Sequence, residues 1–171
     1  MQYLREDWVR AALTKLTETG IESVRVEALA RELKISKGSF YHHFQDRQDL
    51  LDSMIHYWEE HATERIIHTP DSTTQTLEQL LGALFSREQK LEAAIYTWAK
   101  QNADLRKRLV EIEKRRINYV ASLYQKKGIS PDEAKARAEL AYLMYVGWLV
   151  RTEIHAELDI QAAIAFFLTW K

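Results

Sequence analysis

A chain of 171 residues with 46% apolar residues can bury a real core, and its 5 glycines and 2 prolines argue against disorder and fibrous repeats. Cysteine is absent, which removes disulfide scaffolds, thiolate metal sites and cysteine nucleophiles together. The formal net charge of −1, from 24 Lys and Arg against 25 Asp and Glu, announces no nucleic-acid partner, so the distribution has to be inspected. Leu, Ala, Glu, Lys, Arg and Gln dominate, and an all-α fold is expected. No apolar stretch approaches the roughly 20 residues of a spanning helix, and the polar start reads as that of a soluble, cytoplasmic protein.

Trp8, Ala11, Ala12, Leu13 and Leu16 follow helical spacing over residues 7–19, and Gly20 stands where a left-handed C-cap is expected. Val26, Leu29, Ala30 and Leu33 give a second helix of about two turns. Ser36 can cap a short third helix whose Phe40 and Phe44 bury one face. Asp46 then caps a long fourth helix through Leu50, Leu51, Met54, Ile55, Trp58 and Ala62 to about His68, bounded by Pro70. Residues 70–74 have linker composition.

Helices are expected next over residues 75–85 and 91–101. A long one capped by Asp104 should end at Lys126, Lys127 and Gly128. Ser130, Pro131, Asp132 and Glu133 have the order of a helix start, and that helix should run to about His155. Asp159 precedes a last apolar helix over residues 160–170. The total is about nine helices, without strands or repeats.

Two short helices joined by a tight break, the second opening on small and basic residues, have helix-turn-helix geometry, in which the second helix enters the major groove. From Arg31 to His43 the bases Arg31, Lys34 and Lys37 face Glu32 alone. Lys37, Gly38 and Ser39 occupy the first turn of the reading helix: lysine suits guanine O6 and N7 or a phosphate, serine donates or accepts, and glycine lets the backbone approach the groove floor. An equally good bland account makes Gly38 a poor helix former and Lys37 a solvated charge. Tyr41 and His42 fall on the exposed side, Tyr41 toward phosphate and His42 toward base or phosphate; His43 is read as a packing or capping residue.

The residues themselves, Leu29, Ala30, Leu33, then Ile35-Ser36-Lys37-Gly38-Ser39-Phe40-Tyr41-His42-His43-Phe44 and Asp46-Arg47, closely resemble the DNA-binding region of the TetR (tetracycline-repressor-like) family of regulators, from Trp8 to about Ile55. The resemblance implies a DNA-binding domain over residues 1–52 and a helical ligand-binding and dimerisation domain over 53–171, helix four bridging the two. It implies a transcriptional regulator, most simply a repressor, that binds palindromic double-stranded operator DNA as a homodimer and responds to a small-molecule effector. DNA contacts are expected from Arg25, Ser36, Lys37, Gly38, Ser39, Tyr41, His42 and Arg47, the last resembling the family's phosphate-clamping lysine. Two departures stand out. Lys34 replaces the usual turn glycine, and a lysine held in the left-handed region costs about 1–2 kcal/mol. Arg25 stands near where threonine or serine is common.

For the dimer, Ala138, Ala141, Tyr145, Leu149, Ile164, Phe167 and Leu168 are candidates, with Gly147 permitting close backbone approach; completing the monomer core is nearly as good an account of each. Phe85, Tyr96, Trp98, Tyr119 and Tyr142 are the candidates to line an apolar cavity for a hydrophobic or aromatic effector. Arg106-Lys107-Arg108 and Lys114-Arg115-Arg116 are interleaved with Glu111 and Glu113 and read as a solvated helix face. His56, Glu60 and Glu64 share a stripe without closing a ligand set, so no metal or other cofactor is expected. Neither a phosphate-cradling glycine loop nor a nucleophile-base spacing suggests an enzyme. The competing reading is a helical interaction module that keeps this fold without reading DNA sequence.

Overall fold

The computed structural model describes residues 4–68, 76–86, 89–151 and 159–169, and every regular element among them is helical. The expected linker at 70–74 with its proline boundary, the helix end at His155 and the terminal Trp170 lie outside the described residues.

α1 (Arg5–Thr19) opens two residues earlier than its apolar spacing indicated, because Leu4 at its N-cap donates its N–H to Asp7 Oδ2 at 2.7 Å. Gly20 ends it at φ 82° and ψ 173°. The positive φ was expected, but that ψ is not a left-handed helical cap, and the chain passes instead into a 3-10 turn, Ile21–Ser23. α2 (Val26–Leu33) and the five-residue α3 (Lys37–Tyr41) follow. α4 (Arg47–Glu59) continues through a π-helical turn, Glu60–Glu64, into α5 (Arg65–His68). The π turn explains a departure from simple spacing: Thr63, five residues after Trp58, is buried, while Ala62 at the expected fourth position is only half-buried.

α6 (Leu77–Ser86) starts from a reciprocal cap in which Thr76 N–H donates to Gln79 Oε1 at 2.9 Å and Gln79 N–H to Thr76 Oγ1 at 3.2 Å. α7 (Lys90–Ala99) precedes α8 (Ala103–Lys126), which begins before Asp104; that residue lies in the first turn and pairs with Lys107 at 3.3 Å rather than capping. α9 (Pro131–Val150) has Ser130 at its N-cap position and proline in its first turn, as expected. In α10 (Ile160–Thr169) Asp159 Oδ1 accepts from Ala162 N–H at 2.9 Å. Counting α4, the π turn and α5 as one rod turns the ten α-helices among the described residues into nine, the expected number.

Contacts divide the chain into two compact units, one of Met1–Arg65 with Lys90–Ala103, the other of Ile66–Gln89 with Asp104–Lys171. The expected boundary at 52/53 falls inside α4 and inside the first unit. In that unit α1 is central, contacting α2, α4 and α7. Its fully buried Trp8 meets Phe40 edge-on at 5.3 Å between ring centroids, and Phe40 stacks on Phe44 at 5.0 Å. Emptying such a position by Phe→Ala typically costs about 3–5 kcal/mol, so this aromatic seat fixes α3 on α1. In the second unit Leu77, Leu80, Leu81 and Phe85 of α6 join Val120, Leu123 and Tyr124 of α8, Ala134, Ala138, Ala141, Tyr142 and Tyr145 of α9, and Ile164 and Phe167 of α10 in one cluster.

Candidate nucleic-acid interface

The break between α2 and α3 is made by Lys34 at φ 57° and ψ 40°, the only non-glycine residue with positive φ among those described. A lysine therefore does adopt the left-handed conformation that glycine would have taken without cost. Two backbone bonds hold it there, Ile35 N–H to the Ala30 carbonyl at 2.9 Å and Lys34 N–H to the Arg31 carbonyl at 3.2 Å, closing α2 in a Schellman-type turn. Leu33 and Ile35 on either side are each half-buried.

Ser36 takes the N-cap position of α3 with extended backbone, but its side chain makes no capping hydrogen bond; its carbonyl accepts from Ser39 N–H at 3.1 Å. The burial of Phe40 and Phe44 settles which way α3 faces. Ser36, Lys37, Gly38, Tyr41 and His42 are exposed and Ser39 is half-buried, with Tyr41 exposing 63% of its surface. A Cβ built on Gly38 would meet only Ser36 Oγ, at 3.6 Å, an ordinary contact. Nothing inside the chain requires glycine there, and its bare backbone faces outward.

The expected contact cations are partly engaged. Lys37 Nζ lies 2.7 Å from Glu27 Oε1 on α2, and that ammonium is the main reason the Glu27 carboxyl sits below its ordinary range. Arg25 is exposed and its Nε donates to the Glu22 carbonyl at 2.9 Å. Arg47 donates from Nε to the Val24 carbonyl at 2.7 Å and from Nη2 to the Ile21 carbonyl at 3.1 Å. It thus braces the segment leading into α2 from the first turn of α4.

Spacing did not reveal Arg5. Its guanidinium donates to the His43 carbonyl, to Asp49 Oδ1 at 2.5 Å and to Ser53 Oγ at 2.7 Å, and lies 4.3 Å from the centre of the Phe44 ring. One side chain at the start of α1 therefore ties the end of α3 to α4. Asp49 also accepts from Gln45 N–H at 3.0 Å, and this bond, ahead of Arg5, holds its carboxyl below the usual range. Asp46 Oδ1 caps α4 by accepting from Asp49 N–H at 2.9 Å, the role its position predicted. The partners of Arg5 lie 38 to 48 residues away in sequence, beyond any local pattern. The acid at Asp49 beside the Asp46 cap was the one available signal.

The other candidate sets are divided. Phe85 and Tyr142 belong to the core cluster of the second unit and Tyr119 packs against it, whereas Tyr96 and Trp98 lie on α7 of the first. Of the expected dimer residues, Ala138, Ala141, Tyr145, Leu149, Ile164 and Phe167 are buried within the single chain and Leu168 is half-buried. Among the described residues, the exposed large apolar side chains of the same helices are Leu140, Leu143 and Val150 on α9 and Phe166 on α10. No group of three or more His, Asp or Glu residues among those described could hold a metal ion, and none of the described helices is long and apolar enough to cross a membrane.

Residues 9–54, which span most of α1 through most of α4, match the family described as bacterial regulatory proteins, tetR family. The chain is 22% identical to the HTH-type transcriptional regulator BetI of Pectobacterium atrosepticum over 94% of its own length and 88% of that protein's. It is 24% identical to the HTH-type transcriptional repressor KstR2 of Mycolicibacterium smegmatis over 52% of this chain and 43% of the other. Its fold is shared with Salmonella enterica GusR, at a TM-score of 0.70 and 19% identity, covering 96% of this chain and 93% of that one.

Proposed function

We propose that the chain is a DNA-binding transcriptional regulator of the tetR family and that it acts as a repressor: a homodimer that holds a palindromic operator and lets go when a small hydrophobic or aromatic molecule binds. The observation that carries the DNA reading is the division of α3 and the residues just after it into a buried side, Phe40 with Phe44, and an exposed one, Lys37, Gly38, Tyr41 and His42. Lys37 and His42 supply donors to base edges, Tyr41 and Ser36 to phosphates, with Arg25 and Arg47 flanking; Ser39 donates or accepts as the base requires. Residues 1–52 form the reading module and 53–171 the ligand-binding and dimerising part. Repression has its support in the KstR2 relative, itself a repressor.

A second copy docks on α9, where Leu140, Leu143, Gly147 and Val150 recur three and four residues apart, all exposed. Around Gly147 a Cβ would find nothing within 4 Å, so another helix can approach closely. The aromatic cluster of the second unit, where Phe85 meets Tyr145 at 5.7 Å and Trp148 at 5.2 Å, is the region for an apolar effector. An effector releases DNA only by binding the non-DNA arrangement more tightly, since equal affinity shifts nothing.

Selection of bound sites from random duplexes with the purified protein tests the reading. A palindromic consensus is expected, with Lys37→Ala and Tyr41→Ala losing operator affinity while sedimenting as wild type. If both variants keep wild-type affinity, α3 is not the reader. Binding that is absent, or flat across a salt titration, would favour the interaction-module alternative.

A further inference from the structure

We infer that Glu92 on α7 is a positioning residue of DNA binding: through Trp58 it holds α4 at the angle that sets how far apart the two reading helices of a dimer stand. The inference rests on the DNA-reading role of α3 and on the homodimer proposed above. Glu92 lies in the first turn of α7 yet is only 4% exposed, so it is not a solvated helix-start acid. Its Oε2 accepts the indole N–H of the buried Trp58 on α4 at 2.8 Å. A carboxyl group is costly to bury and is kept where hydrogen bonds satisfy it, so this contact has a direction that the apolar packing around it lacks.

Although distant in sequence, α7 belongs to the same compact unit as the reading module and packs on α1. α1 carries Trp8, the seat of Phe40, while α4 carries Arg47 and Asp49, which fasten the approach to α2 and the segment after α3. α7 therefore grips both helices that hold the reading helix. Its grip on α4 is far from the other fastenings: Trp58 follows Arg47 by eleven residues, about 16 Å at the helical rise per residue. A rod fastened near one end can swing, whereas one fastened at both keeps a single direction. The same rod carries the chain to Arg65, where the first unit ends, so play in its angle becomes play in the separation of the two α3 helices of a dimer. One additional base pair moves a half-site by about 3.4 Å along the duplex and turns it about the axis, and a dimer rejects that change only if its own separation is fixed. A loosened rod accepts the wrong spacing more readily and binds the right one more weakly, because its order has to be restored on binding.

The experiment compares the selected operator with the same half-sites set one base pair further apart, by fluorescence anisotropy. Wild type, Trp58→Phe, Glu92→Leu and the double variant are measured at a temperature where circular dichroism shows each fully folded. Either single substitution removes one end of a buried bond and should lower the melting midpoint, whereas the double variant replaces both ends by apolar groups and should regain much of that stability. Wild type should prefer the selected spacing by about tenfold or more, since the duplex or the dimer has to deform to reach the other. In all three variants that preference should shrink to about threefold or less, with operator affinity down about five- to tenfold. The double variant separates positioning from stability. If its affinity and spacing preference return together with its melting midpoint, the bond is merely structural and the assignment is overturned. Should Glu92→Leu fail to fold, Trp58→Phe decides alone, because a wild-type spacing preference in that variant also overturns the assignment. Wild type that selects no duplex refutes the DNA reading itself, and wild type that selects a lone half-site refutes the dimer; both outcomes are distinct from a preference that survives the substitutions.

Discussion

Gly38→Ala adds one methyl group to the first turn of α3, and the only atom near the new Cβ is Ser36 Oγ at 3.6 Å, so the folded chain accommodates it without strain. Alanine is favoured over glycine in a helix interior by about 0.5–1 kcal/mol, chiefly because the unfolded glycine has more freedom to lose. α3 has only five residues and Gly38 is its second, which places the gain toward the lower end. For a chain of this size, about 0.5 kcal/mol raises the midpoint of thermal unfolding by roughly 1–2 °C. The same methyl projects from the face where Lys37, Tyr41 and His42 are exposed, and it keeps the backbone from the groove floor. Operator affinity should then fall about tenfold or more, equivalent to about 1.4 kcal/mol. Circular dichroism melting and anisotropy on the selected operator measure the two effects, which have opposite signs. Unchanged operator affinity together with a higher melting midpoint would mean that the first turn of α3 stands clear of DNA, and that the glycine is only a weak helix former.

Arg5→Ala should lower the urea midpoint by an amount corresponding to about 1–2 kcal/mol, since its contacts with the His43 carbonyl, Asp49, Ser53 and the Phe44 ring are partly exposed and individually modest. Arg5→Lys should restore only part of it, because an ammonium cannot reach these partners in one plane; full restoration would show that charge alone matters. Asp49 has a folded-state pKa below its unfolded value, so its contribution is present above the usual carboxylate range and is lost as pH falls through and below about 4. Asp49→Asn should remove that acid-sensitive component from stability measured against pH. Trp58→Phe takes away an indole N–H donated to the buried Glu92 Oε2 at 2.8 Å and should destabilise by about 1–3 kcal/mol in chemical denaturation; a smaller loss than about 0.5 kcal/mol would argue that the bond contributes little. Leu143→Glu alters a side chain 67% exposed on α9, so helicity should be retained while the sedimentation coefficient falls to that of a monomer; a persistent dimer would move the interface elsewhere.

The local elements of the reading module were legible because each is encoded by near neighbours. The three-and-four spacing of Leu29, Ala30 and Leu33 defines α2, the Phe40 and Phe44 pair defines the buried side of α3, and Asp46 announces α4 through a cap that needs only Asp49. The left-handed turn at Lys34 was harder, since residue type argued against the conformation; backbone bonds to Ala30 and Arg31 hold it. The π turn after Glu59 was invisible, because one additional residue in a turn shifts the buried face from Ala62 to Thr63 without any change in composition.

By itself the sequence determined an all-helical chain, a helix-turn-helix face bearing Lys37, Gly38, Tyr41 and His42, and the positions at which most helices begin, all consequences of interactions within about four residues. Only the tertiary structure decided which apolar residues of α9 and α10 are interior. Ala138, Ala141, Tyr145 and Leu149 carry the same helical period as Leu140, Leu143 and Val150, and a helix hydrophobic on two sides does not say which side its own chain covers. It likewise decided that Arg5 reaches His43 and Asp49 and that Glu27 reaches Lys37, because charged side chains find partners through space and long-range pairing leaves no periodic trace along the chain.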